Sequence, residues 1–442
     1  MMRVVGVELR RSAAPATAVA LLVIGTVLMF FAEGIGFAAG RMQIAMTQRL
    51  YLAILWPLAL AAGAWQTRRE SRSKVAELFA TTPRPRMQRV VPTISAMAVA
   101  VVCGYLAMSV APLLWIAGTA RYLPMAFFVV TAVGVLALIA AVWLGQAVGR
   151  LLPWPVTPPL LAVAGLAFLL LIPGWTRPRG WLALVFSPIY EMNMPDAYAT
   201  VPGRASAAQA IWLGALAVAA LMLLVGDWRL RTAALLPAVL GAVLAIGVMP
   251  HQSRVVIGAV DRAAKELVCA DGEPVVCVSR VHAGLLPEVA TRARAGLAIV
   301  AKMPGAPTRV HEDTTTYYPD VYPEWHDDVA LLSIDVGPDG HLRDTADVAA
   351  DVAVAAFASP PACEKSVSFR ERLAAAYWLV GREPKPDPEV VGADPAPFTE
   401  AANLLRDLRQ LPAGDAMARV AKLRQAAITC SAEDGMLTRG AR

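Results

Sequence analysis

The chain has 442 residues, of which 57% are hydrophobic and only 17% are charged, and its mean hydropathy is +0.53. An average soluble domain carries about 25% charged residues, and the deficit here falls on residues 1–250, which excludes a wholly soluble protein. The net charge of +6 does not indicate nucleic-acid binding, because the cations stand in short clusters between apolar runs, a pattern that orients membrane proteins. We therefore predict a membrane all-α bundle followed by a soluble α+β domain.

Seven apolar runs are each close to the ~20 residues that a helix needs to cross ~30 Å of hydrocarbon. The first run follows Arg3, Arg10 and Arg11 like a signal peptide, but it continues past any small-residue cleavage site, so we interpret it as an uncleaved span. Helices are expected because lipid cannot satisfy open backbone groups. The predicted spans are residues 15–32, 50–65, 90–119, 124–149, 156–173, 208–226 and 232–250.

The segment 65–89 sets the orientation of these spans. It holds seven cations against Glu70 and Glu77, and the positive-inside rule makes it cytoplasmic. Counting from it places the N-terminus inside and the loops at 33–49, 120–123 and 174–207 outside. Seven spans that begin inside end outside, so the C-terminal domain is predicted to be extracytoplasmic. Six of the 40 basic residues are Lys, which together with the heavy use of Ala, Gly and Pro indicates a high-GC bacterial genome and a bacterial plasma membrane.

Two features that the sequence lacks limit the transport mechanisms open to the membrane half. No Asp, Glu, Lys or Arg lies inside the predicted apolar runs, whereas ion-coupled transporters keep ionisable groups at membrane depth. The chain also has no G-x-x-x-x-G-K-[ST] phosphate-binding motif. Transport against a gradient would therefore need energy from another chain.

The cation-rich segment has internal structure of its own. Residues 71–80 are competent to form a helix, and Val75, Leu78 and Phe79 share one face at i, i+3, i+4 spacing. Pro83 and Pro85 then end the helix. This short helix is a candidate docking surface for a cytoplasmic partner, and the alternative is a loop that only sets topology.

Three segments resemble type-2 ABC exporter permeases. They are VVGVELRRSAAP at 4–15, WQTRRESRSKVAELFATTPRPRMQRVV at 65–91 and SPIYEMNMPDAY at 187–198. The resemblance covers a six-span permease core at about 1–231, to which 232–250 adds a seventh span. It implies a homodimer or heterodimer of permeases in the bilayer, driven by a separate ABC ATPase subunit that binds the ATP. The residues that it assigns to coupling with the ATPase are Arg72, Lys74, Val75, Glu77, Leu78 and Phe79.

The C-terminal half, residues 251–442, is predicted to form an α+β domain large enough for one buried core. Periodicity and capping signals predict both element types. The helices are 261–268, 285–302, 343–358, 368–381, 398–411 and 415–428, and the strands are 275–279, 308–311 and 329–335.

Four of the five cysteines lie in this domain, and only Cys103 lies in a span. An even number of cysteines in an oxidising compartment predicts two disulfides. Three pairings are possible, of which we favour Cys269 with Cys277 and Cys363 with Cys430. The alternative is four free thiols in a cytoplasmic domain.

Potential metal ligands also occur here. The runs His311-Glu312-Asp313 and Glu324-Trp325-His326-Asp327-Asp328 contain suitable side chains, as do His282 and His341. No pair has the H-E-x-x-H spacing that puts two imidazoles on one helix face. We therefore predict no metal and no cofactor.

Residues 275–381 resemble the start of a gluzincin metallopeptidase domain. Where H-E-x-x-H would fall, the chain has Asp347-Val348-Ala349-Ala350-Asp351. No Glu stands there to activate a zinc-bound water, so the resemblance implies a dead peptidase domain kept for binding. Neither G-x-S-x-G nor a Cys-His motif occurs, and we expect no enzyme activity.

The sequence thus predicts the permease subunit of an ATP-driven ABC exporter, with an outer domain for gating or substrate handling. Two alternatives stay open. One is a membrane-anchored metallohydrolase that uses His311 or His326. The other is a sensor or immunity protein whose outer domain binds a peptide or an antibiotic.

Overall fold

The computed structural model describes residues 2–32, 37–72, 86–189, 197–317, 320–343, 347–385 and 394–438. The chain forms two compact units. The first comprises Met1–Ala117 with Leu123–Asp261, and the second comprises Gly118–Tyr122 with Arg262–Arg442.

The second unit begins later than the predicted boundary at 251 because the preceding residues pair with the first unit. Ala199 and Val260 form an antiparallel bridge. On either side of it, the Asp261 amide donates to the Tyr198 carbonyl at 2.9 Å and the Thr200 amide donates to Ala259 at 2.9 Å.

In its described part, the first unit is built of helices, apart from the isolated Ala199–Val260 bridge. A 3-10 turn, Phe37–Ala39, precedes α3. The helices are α1 Met2–Arg11, α2 Ala14–Phe31, α3 Arg41–Arg72, α4 Arg86–Trp115, α5 Met125–Leu151, α6 Thr157–Trp175, α7 Trp181–Phe186, α8 Gly203–Val225, α9 Trp228–Ala233, α10 Leu235–Val248 and α11 Ser253–Ile257.

Within the described ranges, seven helical stretches are long and apolar enough to cross a membrane. They correspond one to one with the predicted runs, although several of their ends differ. The stretches are Ala14–Phe31, Arg41–Arg68, Val90–Trp115, Met125–Leu151, Thr157–Trp175, Gly203–Val225 and Trp228–Val248.

The predicted start of the second span at residue 50 is wrong. Helix α3 begins at Arg41 and has 32 residues, which at 1.5 Å per residue is about 48 Å. Gln43, Thr47, Gln48 and Arg49 interrupt the apolar run in the sequence, yet all four are buried in the bundle. The expectation of spans without ionisable groups is therefore wrong as well, since Arg49 lies inside one.

Helices α3 and α5 pack closely at two glycines. A Cβ atom at Gly145 would lie 2.0 Å from the Leu60 carbonyl oxygen, and one at Gly63 would lie 2.1 Å from that of Val142. Small residues at such crossings let helix backbones approach one another in membranes. The two helices therefore form a tight pair at the centre of the unit.

Helix α10, in contrast to the closely packed α3 and α5, leaves much of its apolar surface exposed. Leu235, Leu236, Val239, Leu240 and Val243 are all more than half exposed. An apolar surface of this extent is unusual on a soluble monomer and is expected where a helix faces lipid.

The second unit contains a four-stranded sheet with the strand order β1-β2-β3-β6. Strand β1 is antiparallel to β2, whereas β2, β3 and β6 are mutually parallel. Strands β4 and β5 form a separate antiparallel pair. The strands are β1 Leu267–Cys269, β2 Val276–Ser279, β3 Arg309–Glu312, β4 Thr316–Tyr317, β5 Asp320–Val321 and β6 Val329–Leu332.

Helices cover this sheet and bury its apolar side chains. Val276, Val278 and Val310 of the sheet lie in one core with Val289 and Leu297 of the helix that follows β2. A 3-10 turn, Arg280–His282, leaves β2. The helices are α12 Arg262–Lys265, α13 Leu286–Val300, α14 Val348–Ala355, α15 Phe369–Val380, α16 Ala396–Arg409 and α17 Ala413–Ile428.

Two predicted helices of this unit are too long. The first, predicted over 261–268, ends at Lys265, because β1 follows it and pairs with β2 so that Cys269 lies opposite Cys277. The helix predicted over 343–358 starts only at Val348, where Asp347 caps it.

Candidate functional site

The residues predicted to couple to an ATPase fall mostly on undescribed positions. Lys74, Val75, Glu77, Leu78 and Phe79 lie outside the described residues, and Arg72 ends α3 with an undescribed side chain. The predicted loop at 65–89 is shorter than expected, because residues 65–72 continue α3 and residues 86–89 begin α4. Two membrane-spanning helices therefore lead directly into this segment.

Polar side chains connect the helix ends near the 65–89 segment to their neighbours. Gln66 of α3 accepts a hydrogen bond from the Ala13 amide at 2.8 Å, at the start of α2. Arg68 of α3 donates to the Pro155 carbonyl at 3.4 Å, in the turn between α5 and α6. Arg150 at the end of α5 donates to a carbonyl of the last turn of α8 at 3.2 Å. These hydrogen bonds tie the end of α3 to α2 and to the turn before α6, and the end of α5 to α8.

Arg49 is the centre of a buried polar network at the other end of α3. Its side chain is fully buried. Its Nε and Nη2 donate to the Pro188 carbonyl at 2.9 and 2.6 Å, and Nη2 also donates to Gln209 Oε1 at 3.0 Å. The Gln209 amide in turn donates to the Leu184 carbonyl at 2.8 Å. The network thus joins α3 and α8 to the segment that follows α7.

Further polar groups line the same part of α3. Gln48 donates to the Ser109 hydroxyl of α4, and Gln43 donates to the Ala197 carbonyl at 3.0 Å. Ionisable groups within membrane spans are costly and commonly functional. This polar stretch of α3 is therefore a candidate site that the sequence prediction missed.

The second unit holds a cavity of about 540 Å³, which lies within the range of small-molecule sites, roughly 300–1,000 Å³. Its walls are formed by strand β6, by helices α14 and α15, and by Asp313, Thr315, Tyr322, Pro323 and Trp325. Five charged residues line it, namely Asp313, Asp335, Asp351, Arg372 and Arg424.

Three of these charged side chains already form hydrogen bonds within the protein. Asp335 accepts two hydrogen bonds from Arg343, at 2.6 and 3.1 Å. Asp313 accepts from the Thr315 amide at 2.9 Å and from its hydroxyl at 2.6 Å. Arg424 donates to two backbone carbonyls.

The other two charges, Asp351 of α14 and Arg372 of α15, have no such partners in the described ranges. Arg372 Nε is buried without a hydrogen-bond partner there, and the guanidinium lies 5.9 Å from the centre of the Phe369 ring. Burial lowers the pKa of Arg372 and raises the pKa of Asp351 to about 6. The cavity therefore presents one available cation and one available carboxyl group.

Asp351→Asn is expected to stabilise the protein near pH 7 and to have little effect near pH 4. Desolvation raises the pKa of the Asp351 carboxyl in the folded state to about 6, above its ordinary value of 3.8. The folded state therefore holds more protons than the unfolded state between these two pH values, and stability falls as the pH rises through that window. Asp351 is nevertheless solvent-exposed, so screening limits the gain to about 1 kcal/mol. Thermal unfolding at both pH values measures it, and an equal shift at both would contradict the assignment.

The predicted peptidase-like positions do not form a metal site. Asp347 Oδ1 caps α14 by accepting from the Ala350 amide at 3.3 Å, and its carboxylate pairs with Arg382. Asp351 lines the cavity instead. No group of three or more His, Cys, Asp or Glu side chains in the described ranges is arranged to hold a metal.

His311 and Glu312 also have separate roles, because neighbouring strand residues point to opposite faces. His311 is half-buried, whereas Glu312 is buried and accepts from the Ser279 amide at 2.7 Å. Its other oxygen lies 2.6 Å from Nδ1 of the buried His282. The Ser279 hydroxyl is 3.4 Å from that same ring nitrogen, whereas a Ser-His-acid triad uses the two opposite nitrogens. The cluster ties β2 to β3 and does not form a catalytic triad.

The structure contains two disulfides, in the pairing that the sequence favours. Cys269–Cys277 joins directly opposed residues of β1 and β2, eight residues apart in the chain. Cys363–Cys430 joins the chain after α14 to the residue that follows Thr429 at the end of α17, across 67 residues. Cys103 is free and exposed.

No protein-family model, curated protein or solved structure matches this chain. Its described part has seven helices of the length and composition found in multi-pass membrane proteins, together with a C-terminal domain built on a small mixed sheet.

Proposed function

We propose that this chain is the transmembrane permease subunit of an ATP-driven exporter of the ABC type. It works as a homodimer or heterodimer with a separate cytoplasmic ATPase subunit, and its C-terminal domain handles substrate or gates release on the outer side. The observation that carries the proposal is helix α3, whose 32 residues, Arg41–Arg72, include the buried Arg49 and lead into the cation-rich segment at 65–89.

Helix α3 can transmit movement along its length. ATP binding would close the ATPase subunits and move the segment at 65–89. Gln66 and Arg68 connect the inner end of α3 to α2 and to the turn before α6, and the close contact at Gly145 makes α5 move with it. The opposite end carries Arg49, so the movement would reach the segment around Pro188. Coupling through rigid elements needs a packed connection of this kind.

The sidedness of the proposal comes from charge. By the positive-inside rule, the seven cations at 65–89 favour a cytoplasmic position for this segment, where an ATPase would meet it. Seven spans would then leave the C-terminal domain outside, and the two disulfides of that domain fit an oxidising compartment.

Purification of the full chain from its native membranes in a gentle detergent is expected to recover an ATPase with a phosphate-binding Walker motif, identified by mass spectrometry. The double variant Glu77→Ala, Leu78→Ala is expected to lose this ATPase, because it removes the charged and apolar side chains assigned to coupling. Arg179→Ala is the matched control, since this exposed residue lies in a predicted outer loop and its replacement should leave recovery unchanged.

Recovery of the chain alone, with ATPases detected elsewhere in the same membranes, would contradict the permease proposal. The cavity of the second unit would then favour a membrane-anchored binding or sensing protein.

A further inference from the structure

We propose that the cavity of the second unit binds a zwitterionic ligand of short-peptide size, with the ligand carboxylate on Arg372 and its ammonium group on Asp351. This deepens the proposed function by giving the C-terminal domain a ligand class. Binding itself requires no ATPase, so the two proposals can fail separately.

Arg372 is suited to hold a carboxylate. Its Nε is buried and has no hydrogen-bond partner in the described part of the chain, and no carboxylate there forms an ion pair with it. A desolvated, unpaired charge is costly to keep. The planar guanidinium offers parallel donors that match a carboxylate, and Arg372 lines the cavity, so an anionic ligand group there would pair with the guanidinium and offset that cost.

Asp351 provides the opposite charge in the same cavity. Among the described residues its carboxyl has no ion pair, and desolvation is the sole cause of its raised pKa. A bound ammonium group would favour the ionised carboxylate and lower this pKa. Asp351 and Arg372 belong to consecutive helices, α14 and α15, so both charges are presented by regular structure.

The remaining charges of the cavity select against ligands of a single sign. A dianion would meet Asp313 and Asp335 as well as Asp351, and a simple cation would meet Arg372 and Arg424. A zwitterion gives each of the two available groups its complement and needs nothing from the groups that are already bonded within the protein.

The size and rim of the cavity favour a peptide over a single amino acid. About 540 Å³ is the space of a drug-sized ligand. Tyr322 and Trp325 add aromatic rings beside the charged groups, and Pro323 adds apolar surface. Aromatic rings pack well against apolar and aromatic side chains. A ligand side chain between the two charged ends would lie against these residues.

The test uses the full chain in detergent micelles and isothermal titration calorimetry. The probes are the tripeptide Ala-Phe-Ala, its N-acetylated form and its C-terminal amide. The free tripeptide is expected to bind, and each blocked form is expected to bind about tenfold or more weakly, because each loses one charge-assisted contact. These comparisons use unaltered protein, so they do not depend on the folding of a variant.

Two variants test whether Arg372 holds the ligand carboxylate and whether Asp351 holds the ligand ammonium group. Arg372→Gln is expected to weaken the free tripeptide about tenfold or more and to leave the amide unchanged, whereas Asp351→Asn should weaken the free tripeptide and leave the acetylated form unchanged. Arg292→Gln is the control, since Arg292 pairs with Glu288 at 3.0 Å on an exposed helix face.

No binding of the free tripeptide, equal binding of all three probes, or equal binding to wild type and Arg372→Gln would each overturn the inference. Binding without a co-purifying ATPase would reject the exporter and keep this site.

Discussion

Replacing Arg49 by alanine is expected to lower the unfolding free energy of the helical unit by about 3 kcal/mol. The side chain is fully buried and bonds the Pro188 carbonyl and Gln209 Oε1. Without it, both acceptors lose a charged donor, and an unsatisfied buried acceptor costs about 1–3 kcal/mol. Thermal unfolding of the purified full chain in detergent measures the loss.

Two further variants separate charge from geometry at this site. Arg49→Lys keeps the charge but lacks the planar group that reaches both acceptors, and we expect it to recover only part of the stability. Arg204→Ala removes an exposed arginine from the first turn of α8 and should leave the unfolding temperature unchanged. An Arg49→Ala protein as stable as the wild type would contradict the role assigned to the network.

Loss of the Cys363–Cys430 disulfide is the second large effect that we expect. This bond closes a loop of 67 residues, and loop-closure entropy predicts a loss of about 4 kcal/mol on removing it. The Cys269–Cys277 bond closes only eight residues, for which the same relation gives about 2.5 kcal/mol. The double variant Cys363→Ala, Cys430→Ala is therefore expected to unfold at lower denaturant than Cys269→Ala, Cys277→Ala.

Denaturant unfolding of the full chain, followed by proteolysis of the C-terminal domain, ranks these variants. Cys103→Ala is the control, because this cysteine is free and lies in the first unit, and its replacement should not alter the unfolding of the second unit. If neither double variant differs from wild type purified from native membranes, the thiols are reduced in the cell. The extracytoplasmic placement of the domain would then be wrong.

The sequence predicted the number of candidate spans because each apolar run is nearly continuous. It misplaced the start of α3, because hydropathy averages polar side chains without regard to their neighbours. Gln43, Thr47, Gln48 and Arg49 resemble a water-exposed loop in the sequence, whereas in the structure other helices supply their hydrogen-bond partners. Tertiary contacts of this kind cannot be derived from local composition.

The candidate sites also differ in how far local sequence alone can identify them. The cation cluster at 65–89 is a local pattern and can be recognised directly. The cavity is not local, because Asp351 and Arg372 belong to different helices and their availability depends on how Asp313, Asp335 and Arg424 are bonded. The sequence drew attention to Asp351 through its spacing from Asp347, but it gave no signal that Asp347 caps α14 while Asp351 faces a cavity.

The missed strand β1 has a similar cause. Residues 261–268 have helical character in isolation, but Leu267, Val268 and Cys269 pair with β2 instead. Strand pairing supplies backbone hydrogen bonds and brings Cys269 opposite Cys277, and this tertiary pairing overrides the local preference.

Photo-crosslinking from the segment at 65–89 in native membranes shows whether this segment engages an ATPase. A photoreactive amino acid at Leu78 should yield an adduct with a protein that carries a Walker motif. The same group at Arg179, in a predicted outer loop, should yield none. If the chain is a permease, we expect an ATPase adduct from Leu78 and none from Arg179. No ATPase adduct from Leu78, or labelling of a cysteine placed there by an impermeant reagent added outside the cell, would contradict it.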